Sequence, residues 1–433
     1  MPCLLNINKR ITDNLIMKFF ITQLGCRLNS SETESLSSTL QDAGHELTSR
    51  DNAELHIINS CGVTTASERK TRQLLYQSMK QARLNAGIKI ILAGCGAGKE
   101  RRENDVYYIS NDYKYLIPDI VSDWSLFEHI TKRAPSRFAF KPAKRSSKTR
   151  INIKIQDGCS NFCSYCVIPL LRGAPESKAI PTVVDELNYL VAAGYKEFLL
   201  TGVCISAYSS GSYGLIHLLE KLLELPGNFR LHLSSISPLA INEQLADILQ
   251  SPKMVKHLSL PLQSGSARIL EKMNRHYTPI DYMEKVELVR KKIPKFNFTT
   301  DVIVGFPGET EADFKATCDI VKDAGFSHAH IFRYSPRPGT EAFKMDNDVA
   351  EQTKSKRSKI LLNQSITQKK EYYKLFENTD SVFLNERTKN GVSRGFNEYY
   401  IPVETAAQLR RNEFFRVRTN FSDENNVLIG YVT

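Results

Sequence analysis

The chain has 433 residues, which is too long for one ordinary domain and leads us to expect about three. Its 58 basic and 47 acidic side chains leave a formal net charge of +11, which suits either a polyanionic partner or a merely soluble basic protein. No apolar run is long enough to span a membrane, and the opening segment MPCLLNINKRITDNLIMKFF is too polar for a signal peptide. We therefore expect a cytoplasmic protein whose nine cysteines serve metal binding or catalysis instead of disulfides.

Three early segments share one pattern, in which an apolar run leads through a small residue to a cysteine. The segments are KFFITQLGC, ELHIINSC and IKIILAGC, which end at Cys26, Cys61 and Cys95 with spacings of 35 and 34 residues. Each spacing accommodates a strand, a helix and the return to the next strand, and stretches such as SERKTRQLLYQSMKQARL are predicted helices. We predict a flavodoxin-like parallel α/β domain over residues 17–140, with the cysteines at the carboxyl ends of strands, where open sheets bind ligands. This placement indicates either a metal site or three buried core cysteines.

A polar, basic stretch, KPAKRSSKTR at residues 141–150, is predicted to be a linker. Six apolar runs with helical stretches between them follow: INIKIQDG, EFLLTG, FRLHLSSI, VKHLSLPL, FNFTTDVIVGF and HAHIFRYS. Six βα units instead of eight predict an incomplete (βα)6 barrel over residues 151–370. Polar or glycine residues close these strands, where barrel active sites are built, among them Thr201, Gly202, Ser234, Gln263, Ser264, Asp301 and Gly305.

The first predicted barrel strand is followed by a C-x3-C-x2-C run, in which Cys159, Cys163 and Cys166 stand in DGCSNFCSYCVIP. Three thiolates on one loop can hold three irons of a cubane cluster and leave the fourth iron open to a substrate or cofactor. A zinc loop is the alternative, but structural zinc sites take four ligands and no fourth cysteine or histidine lies close in sequence. The spacing therefore favours an iron–sulfur cluster.

From about Phe376 the chain changes to short segments of β-type residues with turn signals between them: SVFLNERT, YYIPVE, FFRVRTNF and NVLIGYVT. We predict a small all-β barrel over residues 371–433. Its arginines would supply a phosphate-binding face, with Arg394, Arg410, Arg411 and Arg416 as the candidate RNA contacts. Tyr399 and Tyr400 are candidates either for stacking on bases or for the core of the barrel.

A series of motifs in a fixed order resembles the radical S-adenosylmethionine (SAM) methylthiotransferase family: QLGCRLNSSETE, NSCGVTTASERKTRQ, AGCGAG, DGCSNFCSYCVIPLLRG, LPLQSGS, DVIVGFPGETEADF and FRYSPRPGTEA. The resemblance runs from about Met17 to the end, so Met1 and Met17 are both candidate starts of the protein. It implies that Cys159, Cys163 and Cys166 hold a [4Fe–4S] cluster that binds SAM, and that Cys26, Cys61 and Cys95 hold an auxiliary [4Fe–4S] cluster. It also implies that the carboxyl-terminal barrel is a TRAM-like RNA-binding domain.

The same resemblance implies that polar strand ends of the barrel contact SAM. The turn with Gly305 and Gly308 would form one wall of the SAM site, and Gln263 and Ser264 would hydrogen-bond the ribose or the methionine. Thr201, Gly202, Ser234 and Asp301 complete the candidate set.

Motifs such as LGCRLNSSE and RLHLSSI look most similar to the branch that methylthiolates C2 of N6-threonylcarbamoyladenosine at position 37 of tRNA. The alternatives are N6-isopentenyladenosine in tRNA, an aspartate of a ribosomal protein, or a non-enzymatic iron–sulfur protein that binds nucleic acid. The expected partners are tRNA, a flavodoxin- or ferredoxin-like electron donor and a sulfur donor, with no membrane.

Overall fold

The computed structural model describes residues 16–85, 87–143, 148–346 and 348–433. These residues form two compact units, the first within 16–143 and the second, which also takes in 63–65, within 148–433. Cys3 and the other residues before Ile16 lie outside the described residues, as do 144–147 of the predicted linker. None of the described helices combines the length and the apolar character that a bilayer crossing requires.

The first unit is an α/β sheet with strand order β2-β1-β3-β4-β6-β5, parallel except for the edge strand β5. Its elements are β1 (Lys18–Gln23), α1 (Arg27–Asp42), β2 (Glu46–Leu47), β3 (Leu55–Ser60), α2 (Thr65–Leu84), β4 (Lys89–Gly94), β5 (Arg101–Glu103), β6 (Val106–Ile109) and α3 (Ile117–Ser122). The three predicted cysteine-bearing strands and the predicted helix after the second of them are confirmed as β1, β3, β4 and α2.

Side chains of β3 and β4 alternate between two cores, as the pleat of a strand dictates. Ile57 and Ile91 pack on one face with residues of α1 and α3. Ile58 and Ile90 pack on the other face with residues of α2. Because both faces are covered, every residue of β3 is buried, including the polar residues His56, Asn59 and Ser60.

The second unit begins with six parallel strands in two hydrogen-bonded triplets, β13-β10-β7 and β14-β15-β16. The strands and ribbons are β7 (Arg150–Lys154), β8 (Gln156–Asp157), β9 (Glu176–Ser177), β10 (Glu197–Thr201), β11 (Ser209–Ser210), β12 (Tyr213–Gly214), β13 (Arg230–Leu233), β14 (His257–Ser259), β15 (Asn297–Val304) and β16 (His328–Arg333). The helices are α4 (Ile168–Arg172), α5 (Ile180–Ala192), α6 (Leu215–Glu224), α7 (Glu243–Ile248), α8 (Ala267–Lys272), α9 (Pro279–Lys292), α10 (Glu311–Ala324) and α11 (Glu351–Lys374). The predicted incomplete barrel of six βα units is thus confirmed.

Strand β15 shows how this barrel separates its core from its interior. Phe298, Val302 and Val304 are fully buried in the large core under the helices. The alternate residues Thr299 and Asp301 are only partly buried and face the other side, towards the barrel interior. The interior is therefore polar, unlike the filled apolar interior of a complete eight-stranded barrel.

The carboxyl-terminal part is a closed five-stranded barrel with strand order β17-β18-β19-β21-β20. Its strands are β17 (Thr379–Lys389), β18 (Val392–Asn397), β19 (Pro402–Thr405), β20 (Phe414–Ser422) and β21 (Val427–Val432), of which β18 was absent from the sequence prediction. Tyr399 packs against the core of this barrel. Tyr400 packs against the ring of His232, a β13 residue, at 4.6 Å between centroids. The structure therefore assigns both tyrosines to packing and not to base stacking.

Candidate metal centres

Cys26, Cys61 and Cys95 (the strand-end cysteines) follow the carboxyl ends of β1, β3 and β4, which are neighbours in the sheet. Cys61 is buried, Cys95 is partly buried and Cys26 is exposed. Gly25 has a φ of +85°, and a Cβ built on it would lie 2.4 Å from Sγ of Cys61. Only glycine permits this backbone conformation and this approach together, so the first two cysteine loops are in direct contact.

The third of these cysteines has a polar neighbour. The amide Nδ2 of Asn111 lies 3.5 Å from Sγ of Cys95, at hydrogen-bonding distance. An amide that donates to a sulfur stabilises the thiolate form, and hydrogen bonds to cluster sulfurs are one of the ways in which a protein adjusts a cluster. Asn111 was not singled out by the sequence analysis, because it lies in a loop beyond β6.

Cys159, Cys163 and Cys166 (the loop cysteines) form a compact turn after β8. The backbone N–H of Cys166 donates to the carbonyl of Cys163 at 2.9 Å. Gly158 has a φ of +74°, and a Cβ there would lie 2.0 Å from the carbonyl oxygen of Ala174. The loop is thus clamped at its base by a backbone approach that no larger residue allows.

A second clamp comes from the residues at the end of α8. The N–H of Ser164 donates to the carbonyl of Met273 at 3.0 Å, and its hydroxyl donates to the carbonyl of Lys272 at 2.7 Å. The amide of Asn274 donates to the carbonyl of Phe162 at 3.0 Å. The loop that carries the three thiols is therefore held on two sides.

A cation contacts the loop cysteines directly. Nη1 of Arg275 donates to Sγ of Cys163 at 3.3 Å, and its Nε lies 3.3 Å from the hydroxyl of Tyr277. Burial raises the pKa of the Cys166 thiol to about 11. A positive charge nearby generally favours the thiolate form of cysteine, and Arg275 supplies such a charge beside the loop.

A fourth thiol, which the sequence analysis did not connect with this site, lies beside the loop. Asn161 donates its backbone N–H to Sγ of Cys159 at 3.4 Å and its side-chain amide to Sγ of Cys204 at 3.7 Å. The backbone N–H of Cys204 in turn donates to Oε1 of Gln156 at 2.7 Å. Cys204 follows β10, 45 residues after Cys159 in the sequence, so only the parallel pairing of β7 with β10 brings them together.

A buried ionic group stands next to the loop. The carboxylate of Asp157 accepts both bonds from Nη1 of Arg172, at 2.9 and 2.8 Å, and pairs with Nζ of Lys154 at 2.6 Å. Burial opposes ionisation of Asp157, but the two cations hold its pKa well below its usual range. Arg172 is only 2% exposed, so it braces the strand–loop junction and does not face an RNA surface.

No group of three or more His, Cys, Asp or Glu side chains in the described part of the chain is placed so as to hold a metal ion directly. The fit of a cluster is therefore judged from the backbone that carries the thiols. Thiolate clusters need closely spaced cysteines with hydrogen-bond donors around them. The strand-end cysteines suit such a cluster because their three loops are in contact at one sheet edge. The loop cysteines suit one because their loop is clamped and an arginine contacts one of the sulfurs.

Three of the predicted SAM contacts lie at the carboxyl ends of β10 and β13. Thr201 is 1% exposed, and a Cβ on Gly202 would lie 2.9 Å from the side chain of Gln156. The hydroxyl of Ser234 is buried and makes no hydrogen bond in the described structure. An unsatisfied buried hydroxyl at a barrel strand end suits a ligand that would bond to it.

The next three predicted SAM contacts have different surroundings. Gln263 has a φ of +65° and lies beside Asp301, whose carbonyl accepts its N–H at 2.8 Å. Asp301 faces the barrel interior. Ser264, in contrast, is fully buried with its hydroxyl 3.4 Å from that of Thr317 in α10, so it joins a loop to a helix and does not face the interior. The contact of Ser264 with SAM therefore stays a prediction.

The turn after β15 is rigid. The N–H of Gly305 donates to Oε2 of Glu309 at 2.7 Å, and that carboxylate also binds Nη1 of Arg357 at 2.6 Å. A Cβ on Gly305 would lie 2.2 Å from the side chain of Lys354, and one on Gly308 would lie 2.9 Å from Nζ of Lys272. These contacts determine the shape of the turn. Its role as a wall of the SAM site stays a prediction.

The predicted RNA contacts of the small barrel divide into two kinds. Arg394 forms a two-pronged ion pair with Glu404, at 2.7 and 3.2 Å, so its charge is already compensated. Arg410, Arg411 and Arg416 are exposed. Arg416 is paired with Val382 across β17 and β20, which orients it outward from the barrel. The three exposed arginines remain the candidates for phosphate contacts.

Two family descriptions match separate parts of the chain. Residues 153–321 match the family described as "Radical SAM superfamily". Residues 18–110 match the family described as "Uncharacterized protein family UPF0004". The first match covers the loop cysteines and the second covers the strand-end cysteines.

Relatives are similar over nearly the whole chain. "Threonylcarbamoyladenosine tRNA methylthiotransferase MtaB" of Thermotoga maritima is 35% identical over 94% of this chain and 95% of its own length. The protein of the same description from Bacillus subtilis is 34% identical over 82% of each chain. "tRNA-2-methylthio-N(6)-dimethylallyladenosine synthase" of Hydrogenobaculum sp. is 32% identical over 88% of this chain and 91% of its own length.

Among solved structures, the radical S-adenosylmethionine methyltransferase TsrM from Kitasatospora setae, with cobalamin and a [4Fe-4S] cluster bound, superposes with a TM-score of 0.53. The match covers 76% of this chain and 77% of that one at 15% sequence identity. At this identity the likeness concerns the fold alone.

Proposed function

The chain belongs to the radical SAM methylthiotransferase family, and we propose that it transfers a methylthio group to C2 of N6-threonylcarbamoyladenosine at position 37 of tRNA. The observation that carries the substrate assignment is the 35% identity over 94% of the chain to a relative described by that activity. Relatives described by the dimethylallyladenosine activity are also similar, at 30 to 33% identity. All of these relatives are thus methylthiolating enzymes of tRNA, and the proposal goes beyond that shared class in naming the nucleoside substrate.

The polar interior of the barrel supports the same substrate. Asp301 and His330 are register partners on β15 and β16 and so share the face that carries Thr299. A threonylcarbamoyl group carries a carboxylate, a hydroxyl and a urea-like linkage, all of which need hydrogen-bond partners when they leave water. An isopentenyl group makes no hydrogen bonds, so a polar interior offers it nothing that it offers the threonylcarbamoyl group.

A radical SAM enzyme uses a [4Fe–4S] cluster and SAM, and we assign this cluster to the loop cysteines. Bound there, it would supply the electron that splits SAM into methionine and a 5′-deoxyadenosyl radical. The chain's own contribution is placement: Arg275 donates to Cys163, and the orphaned hydroxyl of Ser234 offers a bond to the cofactor. The remaining proposed contacts are Thr201, Gly202, Gln263, Ser264, Asp301, Gly305 and Gly308.

We further propose that the strand-end cysteines hold the auxiliary [4Fe–4S] cluster, at which the methylthio sulfur is delivered. The support is the match of residues 18–110 to a family that covers all three strand-end cysteines, together with the contact between the cysteine loops. A sulfur donor, a flavodoxin- or ferredoxin-like reductant and tRNA are the implied partners, and we place the reaction in the cytoplasm.

The domain limits belong to the proposal as well. We assign the auxiliary cluster to residues 17–140, SAM chemistry to 151–370 and tRNA binding to a TRAM-like barrel over 371–433, with 141–150 as the connection. The exposed arginines of that barrel, chiefly Arg416, would contact phosphates, which supply affinity without sequence information.

The decisive experiment compares two tRNA substrates. Anaerobically reconstituted enzyme is incubated with SAM, a reductant, a sulfide source and tRNA that carries either N6-threonylcarbamoyladenosine or N6-isopentenyladenosine. Nucleosides are then analysed by mass spectrometry. We expect the methylthio product from the first tRNA alone.

Three other outcomes would redirect the assignment. A methylthio product from the isopentenyl tRNA would change the assigned substrate but keep the assigned enzyme class. A methylthiolated ribosomal-protein aspartate, with no tRNA product, would replace the RNA substrate by a protein. If no 5′-deoxyadenosine formed under reducing conditions, the protein would instead be assigned as a non-enzymatic iron–sulfur protein that binds nucleic acid.

A further inference from the structure

Buried polar side chains gather directly beneath the three strand-end cysteine loops. Asn29 is 1% exposed, and Asn59 and Ser60 are fully buried. Polar groups withdrawn from water in this way are costly unless each is hydrogen-bonded. Their partners show what they accomplish.

Asn29, near the start of α1, joins the first cysteine loop to the second. Its Nδ2 donates to the carbonyl of Leu24 at 2.8 Å and to the carbonyl of Ser60 at 2.9 Å. Leu24 lies two residues before Cys26, and Ser60 immediately precedes Cys61. One amide group therefore ties together the backbones that carry two of the thiols.

Ser60 joins the second loop to the third. Its hydroxyl donates to the carbonyl of Ala93 at 2.6 Å and accepts the N–H of Gly96 at 2.9 Å. Ala93 and Gly96 stand on either side of Cys95 in the chain. The single hydroxyl thus uses both its donor and an acceptor site to close the third loop onto the second.

Asn59 anchors both bridges to an ion pair. Its Nδ2 donates to the carbonyl of Asn29 at 3.1 Å, and its Oδ1 accepts from Nζ of Lys114 at 3.3 Å. Lys114 is paired with Glu32 of α1, and their side chains are 0% and 1% exposed. Burial of an ion pair carries a large desolvation cost, so such a pair contributes little stability. The Lys114–Glu32 pair is better explained by the orientation that it imposes on Asn59.

We propose that Asn29, Asn59 and Ser60, oriented by the Lys114–Glu32 pair, form a positioning network that sets the separation of the three strand-end cysteines and so determines how firmly they hold the auxiliary cluster. The proposal rests on the auxiliary cluster of the proposed function. The bonds of Asn29 and Ser60 described above run to the backbones of the loops on which the sulfurs stand. Groups of this kind around a metal site change metal affinity by roughly 10- to 100-fold when they are lost.

The test uses protein in which the loop cysteines are replaced by alanine, so that only the auxiliary cluster remains. Into this background we introduce Ser60→Ala and Asn29→Ala separately. The matched control is Ser35→Ala, because Ser35 is a buried α1 residue whose hydroxyl bonds the carbonyl of Lys141 at 2.6 Å and touches no cysteine loop. Iron content, the rate of cluster loss to a chelator, the reduction potential of the cluster and the melting temperature of the cluster-free protein are measured for each.

We expect cluster loss to be on the order of tenfold faster in Ser60→Ala and Asn29→Ala than in the parent, with a shifted reduction potential. Ser35→Ala should lose its cluster at the parental rate, although the cluster-free forms of all three melt at lowered temperatures. If the two network variants match Ser35→Ala in loss rate and potential, the network is purely structural and the proposal is overturned. Ser60→Ala removes one oxygen atom and adds no volume, so it carries the test if Asn29→Ala fails to fold.

Failure of the proposed function has a different signature. A parent that binds no iron through the strand-end cysteines would show that the auxiliary cluster is absent, and the positioning role would fall with it. A parent that holds about four irons, with unaffected network variants, would leave the auxiliary cluster intact and reject the network alone.

Discussion

The two cysteine sites of this protein are built in opposite ways. The loop cysteines lie within eight residues of one another and are held in a single turn after β8. The strand-end cysteines come from three strands and meet only because β1, β3 and β4 are adjacent in the sheet. The first site is local in sequence, whereas the second is a product of the whole α/β unit.

Their surroundings differ in the same sense. Around the loop cysteines the chain places a charged donor, with Nη1 of Arg275 on Cys163. Beneath the strand-end cysteines it places neutral amide and hydroxyl groups, with the buried Lys114–Glu32 pair set back behind Asn59. We infer that the first site is adjusted mainly through charge and the second through loop position, and each prediction below tests this contrast.

The largest effects should follow from removing either set of cysteines. Reconstituted protein should hold about eight irons, as two cubane clusters. Alanine in place of the loop cysteines should leave about four irons and abolish reductive cleavage of SAM. Alanine in place of the strand-end cysteines should also leave about four irons but stop methylthiolation and spare cleavage. Saturation of the parent at four irons would contradict the two-site comparison.

Cys204→Ala is the control for that experiment. Although Cys204 shares the neighbour Asn161 with Cys159, the proposed chemistry needs an open iron and therefore only three thiolate ligands. Iron content and SAM cleavage should be unchanged. Loss of half the iron in Cys204→Ala would mean that four thiols close the site, as in a structural metal centre.

The next largest effects should come from the two glycines that bring backbones together. Gly25→Ala would drive a Cβ against Sγ of Cys61, and Gly158→Ala against the carbonyl of Ala174. Each variant should lose iron from its own site alone. Gly44→Ala is the matched control, because Gly44 also has a positive φ, +95°, but a Cβ there meets nothing within 4 Å.

Gly44→Ala should therefore show backbone strain of about 1–3 kcal/mol and a full iron content. Iron analysis and thermal unfolding distinguish the three variants. If Gly25→Ala and Gly44→Ala behave alike, the approach of the first two cysteine loops does not matter for the auxiliary cluster.

A smaller effect is expected from Arg275→Gln. Removal of the positive charge beside Cys163 should lower the reduction potential of the loop-cysteine cluster by tens of millivolts, because the reduced cluster is the more negative one. The auxiliary cluster should keep its potential. Potentiometric titration followed by electron paramagnetic resonance measures both.

Arg290→Gln provides the comparison for Arg275→Gln. Arg290 is also partly buried, but its guanidinium bonds the carbonyls of Ala324 and Gly325 and not a cysteine loop. It should alter stability without altering either potential. Equal shifts in the two variants would show that charge at Cys163 has no special influence.

Substitutions in the carboxyl-terminal barrel are expected to have no effect on the clusters, which is the smallest effect in this series. Replacement of Arg410, Arg411 and Arg416 by alanine should weaken tRNA binding and reduce its salt dependence by about one unit of slope for each lost phosphate contact. SAM cleavage without tRNA should be unchanged, and stability should move by no more than about 0.5 kcal/mol. Arg394→Ala should weaken binding less, because Glu404 already pairs with Arg394. Binding titrations at several salt concentrations decide between these outcomes.

Much of the fold follows from local pattern. Apolar runs before Cys26, Cys61 and Cys95 predicted β1, β3 and β4, because a strand between two helical layers is rich in apolar residues. The strand β18 escaped prediction because it reads VSRGFN, with polar and glycine residues that suit a small barrel wall but not a strand pattern. The role of Ser264 cannot be derived from local pattern for a related reason, since a polar residue at a strand end can equally well bond a helix, as Ser264 does with Thr317 of α10.

By itself the sequence determined the enzyme class, the six cluster cysteines proposed here and the order of the structural elements, because these depend on short motifs and on periodicity. Only the tertiary structure decided the neighbours of those cysteines. Arg275 beside Cys163, Cys204 beside Asn161 and Ser60 between two cysteine loops all depend on contacts between elements far apart in the chain. Strand pairing and helix packing create such contacts, and no local pattern of residues encodes which side chains will meet across them.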